Sequence, residues 1–110
     1  MGERDRRIGM NEAVFREVNE RIEDLAEAFK LEGEPLDLLC ECGDPNCVQR
    51  ITMSRSDYEK LRSDSLQFAV SPGHEVTEAE ELIERGRGYD VVRKRSKDAV
   101  AVAEQTDPRS

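Results

Sequence analysis

Three cysteines fall within eight residues of chain, Cys40, Cys42 and Cys47 in the string C-E-C-G-D-P-N-C. This is the tightest constraint the sequence imposes. On a strand, residues i and i+2 project to the same face, so Cys40 and Cys42 aim their sulfurs together while Glu41 points away. Gly43-Asp44-Pro45-Asn46 supplies four strong turn formers, which bring Cys47 back across from Cys42. The loops closing this arrangement are short, so three thiols converge at little cost in chain entropy.

Converging thiols admit a disulfide, a metal site, reversible thiol chemistry or plain core packing. The first ten residues lack the apolar stretch of a secretory signal, and the cysteine count is odd; both argue against a structural disulfide. A metal needs a fourth donor. The only histidine, His74, follows Ser71-Pro72-Gly73 at the end of a predicted strand, where its side chain can swing to a neighbouring hairpin. Three thiolates and one imidazole form the Cys3His tetrahedral set that suits Zn²⁺. Asp44 is the substitute ligand if His74 lies too far away, its other role being turn formation beside Pro45. Gly43 is expected to let the backbone approach and donate N–H groups to the sulfurs.

A zinc clamp also answers a stability problem. The chain has 110 residues, 36% hydrophobic and 38% charged, with no Trp, three Phe and two Tyr. One domain with a thin core is what such a composition allows. Structural zinc supplies about 10–16 kcal/mol of apparent binding energy in small finger peptides, against a usual stability margin of roughly 5–15 kcal/mol.

The rest of the chain reads as an α+β domain. Residues 11–30 carry Val14, Phe15, Val18, Ile22, Leu25 and Phe29 at steps of three and four, which predicts a long amphipathic helix with this stripe facing inward. Asn11 is the expected N-cap and Gly33 the terminator. Residues 36–42 and 48–53 form the cysteine hairpin. Ser54-Arg55-Ser56-Asp57 is a capping box opening a helix through residue 63, and 66–70 and 88–93 are two more strands. A second capping box, Thr77-Glu78-Ala79-Glu80, predicts a short helix carrying Leu82 and Ile83. The expected architecture is a small antiparallel sheet of about four strands, a long N-terminal helix, one or two short helices and a zinc-stapled hairpin. Residues 1–10 and 97–110 are expected to be tails removable with little loss of stability, with one helical turn or two over residues 99–103, leaving 11–96 as the zinc-binding domain.

The strings N-E-A-V-F-R-E-V-N-E-R-I, C-E-C-G-D-P-N-C-V-Q-R-I, D-Y-E and F-A-V-S-P-G-H together resemble a family of small uncharacterised actinobacterial-type bacterial proteins, over residues 8–94. The resemblance implies a bacterial cytoplasmic protein. It is compatible with a metal on Cys40, Cys42, Cys47 and His74, and it implies no activity.

Other function classes are disfavoured. The net charge is −8, and residues 11–47 alone carry eleven acids against three bases. That opposes nucleic acid or anionic membrane as a main partner, because phosphate binding runs on clustered positive charge. Arg93, Lys94, Arg95 and Lys97 form one local basic run, read as a solvated exit without aromatic platforms. No run of apolar residues is long enough to span a bilayer. Nucleophile elbows, phosphate loops and dinucleotide glycine patterns are missing. Glu41 and Glu75 flank the ligands and are read as solvated acids rather than bases. The expectation is a non-enzymatic cytoplasmic domain with protein partners, a second copy of the chain among them, and the alternative is a redox-responsive thiol/zinc switch.

Overall fold

The computed structural model describes residues 3–29, 33–44, 46–74 and 80–109. Three helices and five strands follow in the order α1 (Glu3–Ala28), β1 (Leu36–Leu39), β2 (Arg50–Met53), α2 (Arg55–Arg62), β3 (Gln67–Val70), β4 (Glu80–Arg85), β5 (Asp90–Lys94) and α3 (Lys97–Gln105). The class is α+β with antiparallel pairing throughout. The described residues hold five strands, which divide between two sheets, β1-β2 and β3-β5-β4.

The hairpin forms, but on shorter strands than 36–42 and 48–53: Leu36 stands opposite Met53 and Leu39 opposite Arg50, so Cys40, Cys42 and Cys47 lie between the strands rather than on them. Alternation does the rest: Leu36, Leu38, Ile51 and Met53 are buried while Asp37 and Thr52 face solvent. They pack with Tyr58 and Leu61 of α2 and with Ala69, Tyr89 and Val91. The cap of α2 is also as read, the Ser54 hydroxyl accepting from the Asp57 amide at 3.1 Å. The two sheets meet where the chain runs past β1: the Glu41 amide donates to the Ala69 carbonyl of β3 at 2.8 Å.

Four expectations need correcting. Leu82 and Ile83 lie on strand β4, not a helix; residues 75–79, with most of the capping box, are outside the described residues. A helix this short is marginal without packing, whereas pairing with β5 satisfies the β4 backbone through a bulge between Leu82 and Glu84. The second correction concerns residues 1–10, read as a tail. Helix α1 begins at Glu3, so Asn11 is inside it and donates to the Gly43 carbonyl at 2.9 Å instead of capping.

The C-terminal tail is the third. Helix α3 is capped by Ser96 and buries Ala99 and Ala103, and Val102 lies so close to Gly9 that a Cβ there would meet it at 3.0 Å. Beyond α3, Arg109 gathers Glu20, Glu59 and Glu23 at 2.7, 2.7 and 3.1 Å.

The fourth correction is the orientation of α1. Most of its stripe of apolar side chains does not point into the core: Val14, Val18, Leu25 and Phe29 are exposed, Phe15 is half-buried, and Ile22 and Ala26 pack against the core. The buried line is Glu12, Arg16, Asn19 and Glu23. These side chains are kept there by polar partners at the ends of other elements. Arg16 donates to the Ser65 and Ala103 carbonyls at 2.6 and 2.8 Å, and its guanidinium lies 4.5 Å from the Phe68 ring centre. Asn19 donates to the Leu39 carbonyl and accepts from the Leu39 amide. Glu12 and Glu80 both accept from Lys94. Buried polar groups satisfied in this way cost far less than the same groups unpaired.

Candidate metal centre

Residues 40–42 lie just past the end of β1, on the segment welded to β3. Pinned there, Cys40 and Cys42 are buried within the apolar cluster of Phe68, Val70, Val92 and Ala103, with Cys47 partly buried beside them. The Asp44 carbonyl accepts from the Cys47 amide at 3.0 Å, which closes the return turn. Pro45, inside that turn, is outside the described residues. His74 arrives from the far side on a second turn. Its amide donates to the Ser71 carbonyl at 3.0 Å, with Pro72 and Gly73 between them and Gly73 at φ 83°. Proline followed by a left-handed glycine is the type II pattern, and few residues other than glycine hold that φ without strain.

The four side chains converge. One ligand atom from each of Cys40, Cys42, Cys47 and His74 lies within 4.8 Å of all the others. His74 Nδ1 is 3.6 Å from Cys40 Sγ and 3.7 Å from Cys47 Sγ. In a tetrahedral site, metal bonds near 2.3 Å to sulfur and 2.0–2.1 Å to nitrogen place those atoms about 3.6 Å apart. Those two sulfur–nitrogen separations therefore match a metal cage, and all four donors fall within 4.8 Å of one another. Its donor set is compatible with metal binding.

Electrostatics favour a thiolate at one corner. The hydrogen bond from Cys42 and, after the opposing effect of burial, amide and hydroxyl donation from Ser71 pull the Cys40 thiol down to about 5. The Ser71 amide stands 3.1 Å from Cys40 Sγ. Cys42, the donor in that pair, is held well above the ordinary thiol range by its bond to Cys40 and by burial, with the Asp44 amide acting against them. The amide donors to sulfur are thus Ser71 and Cys42 for Cys40 and Asp44 for Cys42, while the partner observed for Gly43 is Asn11 on its carbonyl. Asp44 itself is exposed and accepts from the Asn46 amide at 2.9 Å; His74, not Asp44, completes the cluster.

Glu41 was not legible as part of this centre. It does point away from the sulfurs, but into the protein, where it is fully buried rather than solvated. One carboxylate oxygen accepts from Arg62 at 2.7 Å and from the Ala69 amide at 3.0 Å, and the other accepts from Asn19 at 2.7 Å. Glu41 is a positioning residue: its side chain fixes the segment that carries two of the four ligands. Arg62 is committed to it, its guanidinium 5.2 Å from the Tyr58 ring centre, and Arg62 Nε and Nη1 have no hydrogen-bond partner among the described residues. No local sequence signal marks this pair, because Arg62 is twenty-one residues away. Glu75, the other acid beside the ligands, is outside the described residues.

The basic run that ends β5 and follows it is not a free patch. Lys94 is buried between Glu12 and Glu80, and Arg93 pairs with Asp64 at 2.9 Å. A separate open cleft of about 400 Å³, lined by Met53, Leu61, Ile83 and Tyr89 among others, shares no residue with the cysteine cluster. Among the described residues no helix is long and apolar enough to cross a membrane. No family model, no curated protein and no solved structure matches the chain.

Proposed function

We propose that the chain is a small zinc-binding domain of the bacterial cytoplasm, in which Cys40, Cys42, Cys47 and His74 hold a structural Zn²⁺ and the folded domain serves as a protein-interaction or regulatory module without catalysis of its own. The observation that carries this reading is the convergence of four donor atoms within 4.8 Å, at sulfur–nitrogen separations matching a zinc tetrahedron. Zinc is the preferred ion because three thiolates and an imidazole are one of its standard structural ligand sets, and a closed four-ligand site leaves no position for a reacting water. Elemental analysis with native mass spectrometry tests it. One zinc per chain is expected, with Cys47→Ser losing the metal and His74→Ala weakening its retention less. A well-folded chain at its bare polypeptide mass would end the proposal.

A redox-responsive reading is favoured by one feature: Cys47 is only partly buried, so the cage has an accessible sulfur. Hydrogen peroxide would take two electrons from the zinc-bound thiolates of Cys42 and Cys47 and two protons from solvent, giving one disulfide, two waters and released zinc. Sub-millimolar peroxide with a zinc dye and a thiol count decides between the two. Retained zinc and protected thiols leave the structural role alone.

A further inference from the structure

The outward face of α1 is built for a partner. Met10, Val14, Val18, Leu25 and Phe29 are 53%, 58%, 37%, 58% and 72% exposed. All lie on one side of the helix, opposite the buried Glu12, Arg16, Asn19 and Glu23. Soluble chains rarely leave so continuous an apolar stripe uncovered. Two features identify what covers it.

The first is the spacing. Met10, Val14, Val18, Arg21, Leu25 and Phe29 follow one another at steps of four, four, three, four and four, a series that reads the same in both directions. A two-fold axis running beside α1, level with the point between Asn19 and Glu20, sets Met10 of one copy opposite Phe29 of the other, Val14 opposite Leu25 and Val18 opposite Arg21. A face that maps onto itself in this way is what an isologous dimer requires, since the same patch must serve both copies. Rows at steps of four are also the ridges that interdigitate in the commonest class of helix packing.

The second feature is charge. At the middle of the face Glu17 and Arg21 pair at 3.5 Å within the helix, both at least half exposed. Antiparallel packing about this axis sets Arg21 of one copy beside Glu17 of the other, whereas parallel packing in register would oppose like charges. The five apolar side chains, doubled, cover on the order of 1,000 Å², the lower end of what specific interfaces bury.

We propose that a second copy of this chain covers α1, the two helices packing antiparallel about a two-fold axis between Asn19 and Glu20. The interface does not touch the cysteine cluster and does not rest on the identity of any metal there. Sedimentation of the full chain as purified, with metal content measured on the same sample, tests it. Twice the 12.5 kDa chain mass is expected at about 100 μM protein. Leu25→Glu and Val14→Glu each weaken association by about 100-fold or more, because a charge enters the apolar seam twice per dimer, with circular dichroism and metal content unchanged. Glu17→Arg and Arg21→Glu each weaken it by about tenfold, and the double exchange E17R/R21E recovers most of the loss. A monomer at about 100 μM overturns the proposal, as does a dimer indifferent to Leu25→Glu. A double exchange no better than the single ones overturns the antiparallel register.

Discussion

Single residues in this protein carry charge to places where charge is expensive. Glu41 and Arg62 are both fully enclosed, so removing one strands the other. Glu41→Gln is expected to lower stability by about 3–5 kcal/mol in urea unfolding, and Arg62→Met added to it should return part of that loss. Glu12 has a different signature. Burial first, then the neighbouring Glu80, lift its carboxyl from 4.5 to about 8 against the pull of Lys94. One ammonium serves two enclosed carboxylates, and Glu12 retains a proton. The folded state then holds a proton that the unfolded chain releases near pH 4.5. The associated stabilisation is complete below that pH and disappears as pH rises through 8. The urea midpoint should fall between pH 6 and pH 9, and Glu12→Gln should flatten that limb. Metal retention runs oppositely, failing as acid reprotonates the sulfurs.

At the scale of elements, the features legible in the sequence were those specified locally. The cysteine turn, the Ser71-Pro72-Gly73 corner that delivers His74 and the Ser54 cap each rest on a few adjacent residues, and each appears where the spacing placed it. What escaped was specified at a distance. The periodicity of α1 correctly announced a helix with one apolar face, but a period cannot say which face meets the core. That was decided by carbonyls at Leu39, Ser65 and Ala103, which receive donors from Asn19 and Arg16. Helix α3 was legible only as a turn or two over residues 99–103, because K-D-A-V-A-V-A-E-Q alternates without a helical stripe and depends on Gly9 and Arg16 for its place. Deleting residues 97–110 should therefore cost more than about 3 kcal/mol or abolish cooperative unfolding, because it leaves Arg16 without two acceptors. Arg109→Ala alone should cost about 1 kcal/mol, since Arg109 itself is a third exposed and its Glu59 partner half exposed, so solvent screens the cluster. Thermal or urea melts of the two variants separate these effects.

For the whole molecule, two apolar clusters share the interior with buried ion pairs, and the cysteine centre sits where the hairpin sheet joins the three-stranded one. Stripping a bound metal with a chelator should lower the melting temperature by more than about 10 °C, and adding zinc back should restore it. The three residues Cys40, Glu41 and Cys42 form a rocker: two sulfurs hang on one side of the backbone, and a carboxylate gripped by α1 and α2 hangs on the other. Whatever the cage holds, its size is therefore communicated through that pivot to the opposite wall. A larger soft cation such as cadmium, with longer bonds to sulfur, would tilt the rocker, and the carboxamide resonances of Asn19 on the remote side would register the change.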